Sequence, residues 1–216
     1  MSTISLSHLT KRYGPVLAVE DLSFEAGPGR VTGFLGPNGS GKTSTLRILL
    51  GLAKPTAGTA TIDGLPYHRL PDPVRRVGAA LDSSTFHPGR SAAQHLRVIT
   101  TATGLPRRRV DEVLALTGLS DVAGRAVGRF SLGMRQRLSQ AAAMLGDPGV
   151  LIFDEPLNGL DPDGIRWLRG RLDPVRRAGS AWRPSRIRPG RPGSPRWPLR
   201  QAGTASGTPR NTARSA

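Results

Sequence analysis

The chain has 216 residues, which is enough for one domain with an inserted subdomain and a buried hydrophobic core. It has no cysteine, no apolar run long enough to span a membrane and no signal-peptide pattern at its start, so we expect a cytoplasmic protein without disulfides or thiolate metal sites. The net charge of +16 invites a nucleic-acid interpretation, but ten arginines and no acidic residue lie from residue 175 onward, which leaves an ordinary +6 for the rest. We therefore do not expect nucleic acid to be the partner.

The first part of the chain alternates between strand and helix patterns. Ile4 and Leu6 alternate with polar residues, and a longer apolar run ends at Gly36. The predicted elements, in chain order, are a strand from residue 4 to 8, a strand at 31–35, a helix at 43–50 and strands at 59–62 and 77–81. This alternation predicts an α/β fold.

A run of helix patterns follows, which we expect to form an inserted subdomain over about residues 83–145. Ser91 with Gln94 predicts a capping box for a helix through about Thr103, and Ser131 can cap a later helix. The apolar residues of the predicted second helix are Val110, Val113 and Leu114, and those of the third are Leu138, Ala141, Ala142 and Leu145. A buried strand at 150–153 and a helix from Pro162 to Leu172 complete the pattern.

Residues 36–43 match a phosphate-binding loop, and they lie between an apolar run and a helix, as that chemistry requires. Glycines let backbone amides face a triphosphate, and the helix presents the positive end of its dipole. Lys42 can reach the terminal phosphates and the Thr43 hydroxyl can ligate magnesium. A glycine-rich turn that matches by chance is the alternative. The predicted ATP-binding residues here are Gly36, Pro37, Asn38, Gly39, Ser40, Gly41, Lys42 and Thr43.

Two carboxylates follow the apolar run at 151–153, and ligands of α/β sheets bind where such strands end. Asp154 is placed to hold magnesium through its water shell, and Glu155 to orient or deprotonate the water that attacks the γ-phosphate. On its own, such a pair is also typical of a solvated strand end. Together with the phosphate loop, it predicts ATP and Mg2+ as cofactors, Thr43 and Asp154 as metal ligands, and Glu155 as the catalytic residue.

Three further segments resemble motifs of the ATP-binding subunits of ABC transporters. Phe130-Ser131-Leu132-Gly133-Met134-Arg135-Gln136 resembles the family's signature, Leu157-Asn158-Gly159-Leu160-Asp161 resembles its D-loop, and Lys11-Arg12-Tyr13-Gly14 stands where the family carries an aromatic residue. The order of motifs matches that of the family from Ser2 to about Leu172. The stretch 82–90 resembles, more weakly, single-domain subunits of bacterial drug, antibiotic and lipid exporters.

The resemblance implies a P-loop NTPase fold with a RecA-like core sheet, an antiparallel β subdomain and an inserted α-helical subdomain, all within residues 1–174. It implies that Tyr13 stacks on adenine, and that Ser131 and Gly133 bind the γ-phosphate held by a second ATP-binding subunit in a head-to-tail dimer. For Tyr13 a packing role is the alternative, and for Ser131 a simple helix cap. A transmembrane permease subunit as partner, and a place on the inner face of the cell membrane, are also implied. No residue indicates the cargo.

Two positions depart from the family's pattern. The signature carries Leu132 and Met134 where glycine and glutamine are usual, which we expect ATP binding to tolerate. After the strand at 77–81 the family usually has a glutamine, and here the position falls at Asp82. That carboxylate is either a magnesium ligand or a solvated loop residue.

The last segment, 175–216, does not fit the family. It is rich in arginine, proline and glycine, and we expect it to be disordered and unable to complete the core. The family places there a buried strand that ends in a histidine, whereas the histidines of this chain are His8, His68, His87 and His95. Prolines between residues 184 and 198 are incompatible with a central strand. Our hypothesis is a change of reading frame near residues 172–181, and the alternative is a natural short paralogue that borrows the strand from a partner.

Several functions compete at this stage. The leading interpretation is an ATPase subunit that energises a membrane transporter, which we expect to be an exporter. A degenerate subunit that binds nucleotide without productive hydrolysis is the second. A soluble ABC protein with a regulatory role is the third, although such proteins usually carry two cassettes or extra domains.

Overall fold

The structure is a computed structural model that describes residues 2–29, 31–34, 36–81, 86–157 and 170. An antiparallel sheet forms its first layer, with strands β1 (Ile4–Tyr13), β2 (Val16–Ala26) and β3 (Ala57–Ile62) in the order β2-β1-β3. β1 pairs with both neighbours. This sheet confirms the implied antiparallel β subdomain, although the sequence pattern alone did not reveal β2.

Helix α1 (Lys42–Leu49) packs against this sheet. Its Ile48 and Leu49 are buried in one hydrophobic cluster with Leu9 of β1 and Ile62 of β3. Burial of such side chains, at about 1.5–3 kcal/mol each, is what fixes a short helix that would not persist alone. The predicted helix at 43–50 is therefore confirmed to within one residue.

A second sheet, made of two parallel strands, ends next to the two predicted site carboxylates, Asp154 and Glu155. It consists of β4 (Val77–Ala80), which follows the short helix α2 (Pro73–Arg76), and β5 (Val150–Phe153). The Cα partners run from Val77 opposite Val150 to Ala80 opposite Phe153. Gly78 lies so close to the helix that precedes β5 that a Cβ there would collide with the Ala143 carbonyl. The parallel pairing places the carboxyl end of β5 beside the carboxyl end of β4.

Three helices connect β4 to β5: α3 (Ala92–Thr103), α4 (Arg108–Leu116) and α5 (Leu132–Ala143). Both hydrogen bonds of the predicted capping box at Ser91 and Gln94 are present. The helices share a core of their own, which includes Leu96, Val110, Val113, Leu114, Leu138, Ala141 and Leu145. The three helix predictions for this region are confirmed, and the mixed α/β architecture agrees with the predicted fold class.

Two strand predictions need correction. Residues 31–34 are half-buried but form no strand, so the strand prediction for 31–35 is wrong over the residues described. A strand needs a neighbour for its backbone hydrogen bonds, and within the described ranges these residues pair with none. The strand β5 exists as predicted, but only Ile152 is buried and Leu151 is 43% exposed. Within the described part, β5 pairs on one edge only.

The predictions for the helix at 162–172, for the tail at 175–216 and for Asp82 lie outside the described residues. Across the described part of the chain, no helix is both long and apolar enough to cross a membrane.

Candidate functional site

Helix α1 begins directly at the phosphate-loop pattern. Gly39 and Gly41 have φ angles of 82° and 86°, which is left-handed backbone that favours glycine. At Gly41 a Cβ would also collide with the carbonyl oxygen of Ala18 on β2. The glycines therefore let the loop turn tightly against the sheet, and the first amides of α1, which lack carbonyl partners within the helix, point out of its N-terminus.

Lys42 lies back across its own loop. Its Nζ donates hydrogen bonds to the carbonyl oxygens of Gly36 at 2.7 Å and Pro37 at 3.0 Å. The side chain is only 14% exposed, and its Nζ lies 4.0 Å from Oε1 of Glu155. The ammonium group is thus held at the centre of the loop, with a carboxylate as its nearest counter-charge.

Thr43 and Asp154 meet across 111 positions of sequence. The Thr43 hydroxyl donates to Oδ2 of Asp154 at 2.5 Å, and the Asp154 amide donates to the carbonyl of Ala80 at 2.9 Å. The second bond extends the β4–β5 ladder by one residue and fixes the carboxylate at the sheet's edge. A hydroxyl and a carboxylate are hard oxygen ligands of the kind that Mg2+ takes, so these residues fit the implied metal.

Ser40 is a second indication that the loop fits a bound phosphate. Its hydroxyl oxygen is buried and has no hydrogen-bond partner in the described structure. Buried polar groups are normally paired, and an exception calls for an explanation. A phosphate oxygen in the loop would supply the missing partner.

Glu155 follows in a left-handed backbone conformation, with φ of 46°. Its side chain is 48% exposed, and so it can reach solvent at the mouth of the site. The next peptide is held by Gln140 on α5, whose side-chain amide donates to the carbonyl of Pro156 at 3.1 Å, and no sequence motif indicated this residue. The local signal was weak: a glutamine directly before the apolar run at 141–145, which does not identify a partner.

Tyr13 ends β1 and is 46% exposed. The ammonium of Lys11 lies 4.7 Å from the centre of its ring, so one ring face carries a cation–π contact. An exposed ring at a strand end can stack on a base, and its exposure disfavours a purely packing role.

Ser131 and Gly133 lie at the start of α5, where Ser131 is the N-cap and its hydroxyl accepts from the Met134 amide at 3.2 Å. Ser131 is exposed, and Leu132 is 55% exposed. In the described part of the chain, no hydrogen bond or ion pair joins Ser131 or Gly133 to residues 36–43. The structure therefore gathers Lys42, Thr43, Asp154 and Glu155, but not the predicted signature residues.

Comparison with known proteins gives consistent results. A sequence model of the ABC transporter family matches residues 19–158. The bacitracin transport ATP-binding protein BcrA of Bacillus licheniformis is 42% identical over 172 residues, which cover 78% of this chain and 56% of that protein. The lantibiotic transport ATP-binding protein SrtF of Streptococcus pyogenes is 33% identical over 176 residues, which cover 82% of this chain and 76% of that protein.

The fold is also that of a solved protein. The structure of a dimeric bacterial ABC transporter cassette superimposes with a TM-score of 0.73 over 81% of this chain and 83% of the other, at 23% identity. The match to BcrA shows that this chain spans little more than half the length of some of its curated relatives.

Proposed function

This chain belongs to the ABC transporter family, and from that premise we propose that it binds ATP with Mg2+ and hydrolyses it to energise a membrane exporter. The observation that carries the proposal is the meeting of Lys42 and Thr43 with Asp154 and Glu155, which come from two segments far apart in sequence. A glycine-rich turn that matched by chance would not place a hydroxyl and two carboxylates around its lysine.

The loop binds the phosphates through groups that are already oriented. Lys42 exchanges its bonds to the Gly36 and Pro37 carbonyls for phosphate oxygens, while the first amides of α1 and the Ser40 hydroxyl donate to the same anion. Tyr13 stacks on the adenine with a ring face. These contacts give affinity for a triphosphate without base-specific hydrogen bonds.

Thr43 and Asp154 hold the metal. Bound Mg2+ neutralises charge on the β- and γ-phosphates. Glu155 accepts a proton from the attacking water, a role for which a partly exposed carboxylate beside the loop is suited. Its Oε1 lies 4.0 Å from the Lys42 Nζ, which puts the carboxylate near the group that would contact the terminal phosphate.

A second subunit completes the site in this proposal. At the start of α5, Ser131 is exposed and Gly133 is half-buried, and neither has a bond to the chain's own phosphate loop within the described residues. A helix N-terminus with a serine hydroxyl favours an anion. Two chains arranged head to tail bring each exposed α5 N-terminus to the other's nucleotide.

The transport role follows from the relatives, which are named for bacitracin and lantibiotic transport. We infer a transmembrane permease subunit as partner and a location at the inner face of the cell membrane.

A degenerate subunit that retains the nucleotide but does not turn it over is the second candidate. It is favoured by residues 31–34, which form no strand directly before the phosphate loop, and by the exposure of Leu151 in β5. A loop without a paired strand behind it holds Lys42 less rigidly during chemistry.

The substitution Glu155→Gln tests the proposal, because it removes the proton acceptor and nearly preserves shape. We expect ATP affinity to be retained, hydrolysis to fall by about 100-fold or more, and dimers stabilised by ATP to accumulate in light scattering. Glu25→Gln, at an exposed position of β2, is the matched control and should behave as the wild type.

The outcomes separate the candidates. Hydrolysis by the wild type that Glu155→Gln abolishes supports the ATPase. ATP binding without any hydrolysis by the wild type favours the degenerate subunit. A monomer at saturating ATP and Mg2+ contradicts the head-to-tail dimer.

A further inference from the structure

Gln140 is the most deeply buried polar side chain of the described structure, with 0% exposure in the middle of α5. Its side-chain amide donates to the carbonyl oxygen of Pro156 at 3.1 Å, across 16 positions of sequence. Because a carbonyl only accepts, the nitrogen of the amide must face it, which fixes the orientation of the side chain. The bond ties α5 to the peptide directly after Glu155.

That peptide closes a strained turn. Glu155 adopts left-handed backbone, with φ of 46°, which is unfavourable for a residue with a side chain. Such a conformation persists only when its surroundings fix it. Here the Asp154 amide is bound to Ala80 on one side, and the Pro156 carbonyl is bound to Gln140 on the other.

Gln140 is a poor choice for stability alone. Its Oε1 is buried without a hydrogen-bond partner in the described part of the chain. An unsatisfied buried acceptor is unfavourable, and an apolar side chain of the same size would avoid it. A glutamine at this position is therefore better explained by its bond to Pro156 than by packing.

The helix that carries Gln140 also carries the exposed Ser131 at its N-terminus. Nine residues separate the two, about 13 Å along a helix. A single rigid element thus runs from the surface where the second subunit's nucleotide would bind to the turn that presents Glu155.

We propose that Gln140 is a positioning residue that holds the Glu155 turn in register with the N-terminus of α5. The inference rests on the proposed ATPase function, in which Glu155 accepts the proton of the attacking water. In this proposal Gln140 acts through the backbone of Pro156 and has no direct part in the chemistry.

The test compares Gln140→Met with the wild-type 216-residue chain, because methionine nearly matches the volume but donates no hydrogen bond. Thr117→Val is the control, since the buried Thr117 hydroxyl donates to the Val113 carbonyl at 2.8 Å, away from the site. Three quantities are measured: the melting temperature, the affinity for a fluorescent ATP analogue with Mg2+, and the single-turnover rate of ATP hydrolysis. Amide hydrogen exchange over 154–157, which reports on Asp154, Glu155 and Leu157 because Pro156 has no amide hydrogen, is measured in parallel.

For Gln140→Met we expect hydrolysis at least tenfold slower, with affinity within twofold and a melting temperature equal to or above that of the wild type. Exchange at 154–157 should be at least fivefold faster. For Thr117→Val both the hydrolysis rate and this exchange should match the wild type. A purely structural Gln140 would leave hydrolysis and exchange unchanged, and that result overturns the proposal.

The exchange measurement keeps this inference separate from the proposed function. If the wild type shows no hydrolysis that depends on Glu155, the ATPase proposal fails, and faster exchange in Gln140→Met still supports a Gln140 that holds the turn. If the wild type hydrolyses ATP and Gln140→Met does so equally fast, the positioning role is refuted while the ATPase function stands.

Discussion

Lys42 is the residue on which the proposed ATP binding should depend most directly. It carries the one side-chain cation of residues 36–43, and its bonds to the Gly36 and Pro37 carbonyls show that its Nζ lies over the loop. We expect Lys42→Ala to weaken ATP binding about 100-fold, since hydrogen bonds to charged groups contribute about 1.5–3 kcal/mol each. Equilibrium titration measures this, with Lys54→Ala as a control that also removes one positive charge. Unchanged affinity in a folded Lys42→Ala variant would contradict the nucleotide site.

His95 gives a prediction about pH. Burial lowers the pKa of this histidine below 6.5, and the nearby charge of Arg90 lowers it further. Its ring also packs edge-on against Phe86, with centroids 4.8 Å apart. Because the unfolded chain then binds the proton more tightly, the contribution of His95 to stability is complete above about pH 6.5 and is lost as the pH falls through the folded pKa. Urea unfolding at pH 8 and pH 5.5 should show a smaller loss for His95→Gln than for the wild type.

At the residue scale, the sequence locates those groups whose positions are set by neighbouring residues. The phosphate loop, Asp154 and Glu155 were predicted because a loop between elements and a strand end fix their positions within a few residues. Gln140 could not be found in this way, since its partner Pro156 belongs to a turn 16 residues further on. The contact depends on how α5 packs against β4 and β5, and no local pattern encodes that.

Among the elements, the junction of α4 and α5 depends on one arginine. Arg109 donates from Nε to the Leu145 carbonyl and from its second terminal nitrogen to the Met144 carbonyl, both at 2.9 Å. These carbonyls lie at the C-terminal end of α5, where the helix dipole is negative. The Arg109 side chain is only 18% exposed.

We expect Arg109→Met to lower the free energy of unfolding by about 2 kcal/mol, because two carbonyls in partly buried hydrogen bonds lose a charged donor. The neighbouring Arg108→Met is the matched control. Arg108 is 81% exposed, and its ion pair with Glu112 at 3.8 Å should contribute less than about 1 kcal/mol. Urea denaturation of both variants measures the difference, and equal losses would mean that Arg109 does not cap α5.

The elements also show why helices were easier to predict than strands. The capping box at Ser91 and the cap at Ser131 mark helix starts within a few residues, so α3 and α5 began where the sequence indicated. A strand depends on a neighbour that is remote in sequence. The apolar run at 31–34 has the composition of a strand, but within the described ranges it lies beside no paired neighbour.

At the scale of the whole molecule, the described chain contains two hydrophobic clusters that are shielded from solvent to different degrees. The helical cluster has fully buried members from three helices, such as Leu96, Val113 and Leu138. The other cluster joins the antiparallel sheet and α1 to the two parallel strands, and it ends at half-buried side chains such as Phe34 and Val150. The sequence predicted the α/β class because the residues of both clusters show the apolar spacing of helices and strands. How completely each cluster is buried depends on strand pairing between segments far apart in sequence.

This difference in burial between the two clusters predicts which segments ATP stabilises. A ligand that contacts Lys42, Thr43 and Asp154 joins the loop after residues 31–34 to the end of β5, two segments that no strand pairing joins in the described structure. At 100 times its dissociation constant it adds about 2.7 kcal/mol to stability. We expect ATP with Mg2+ to slow amide hydrogen exchange most over residues 31–45 and 150–157, and to leave α3 and α4 nearly unchanged, because their core closes on itself. Protection spread evenly over the helices would show that the two clusters unfold as one unit, and the same experiment on Lys42→Ala should show little protection anywhere.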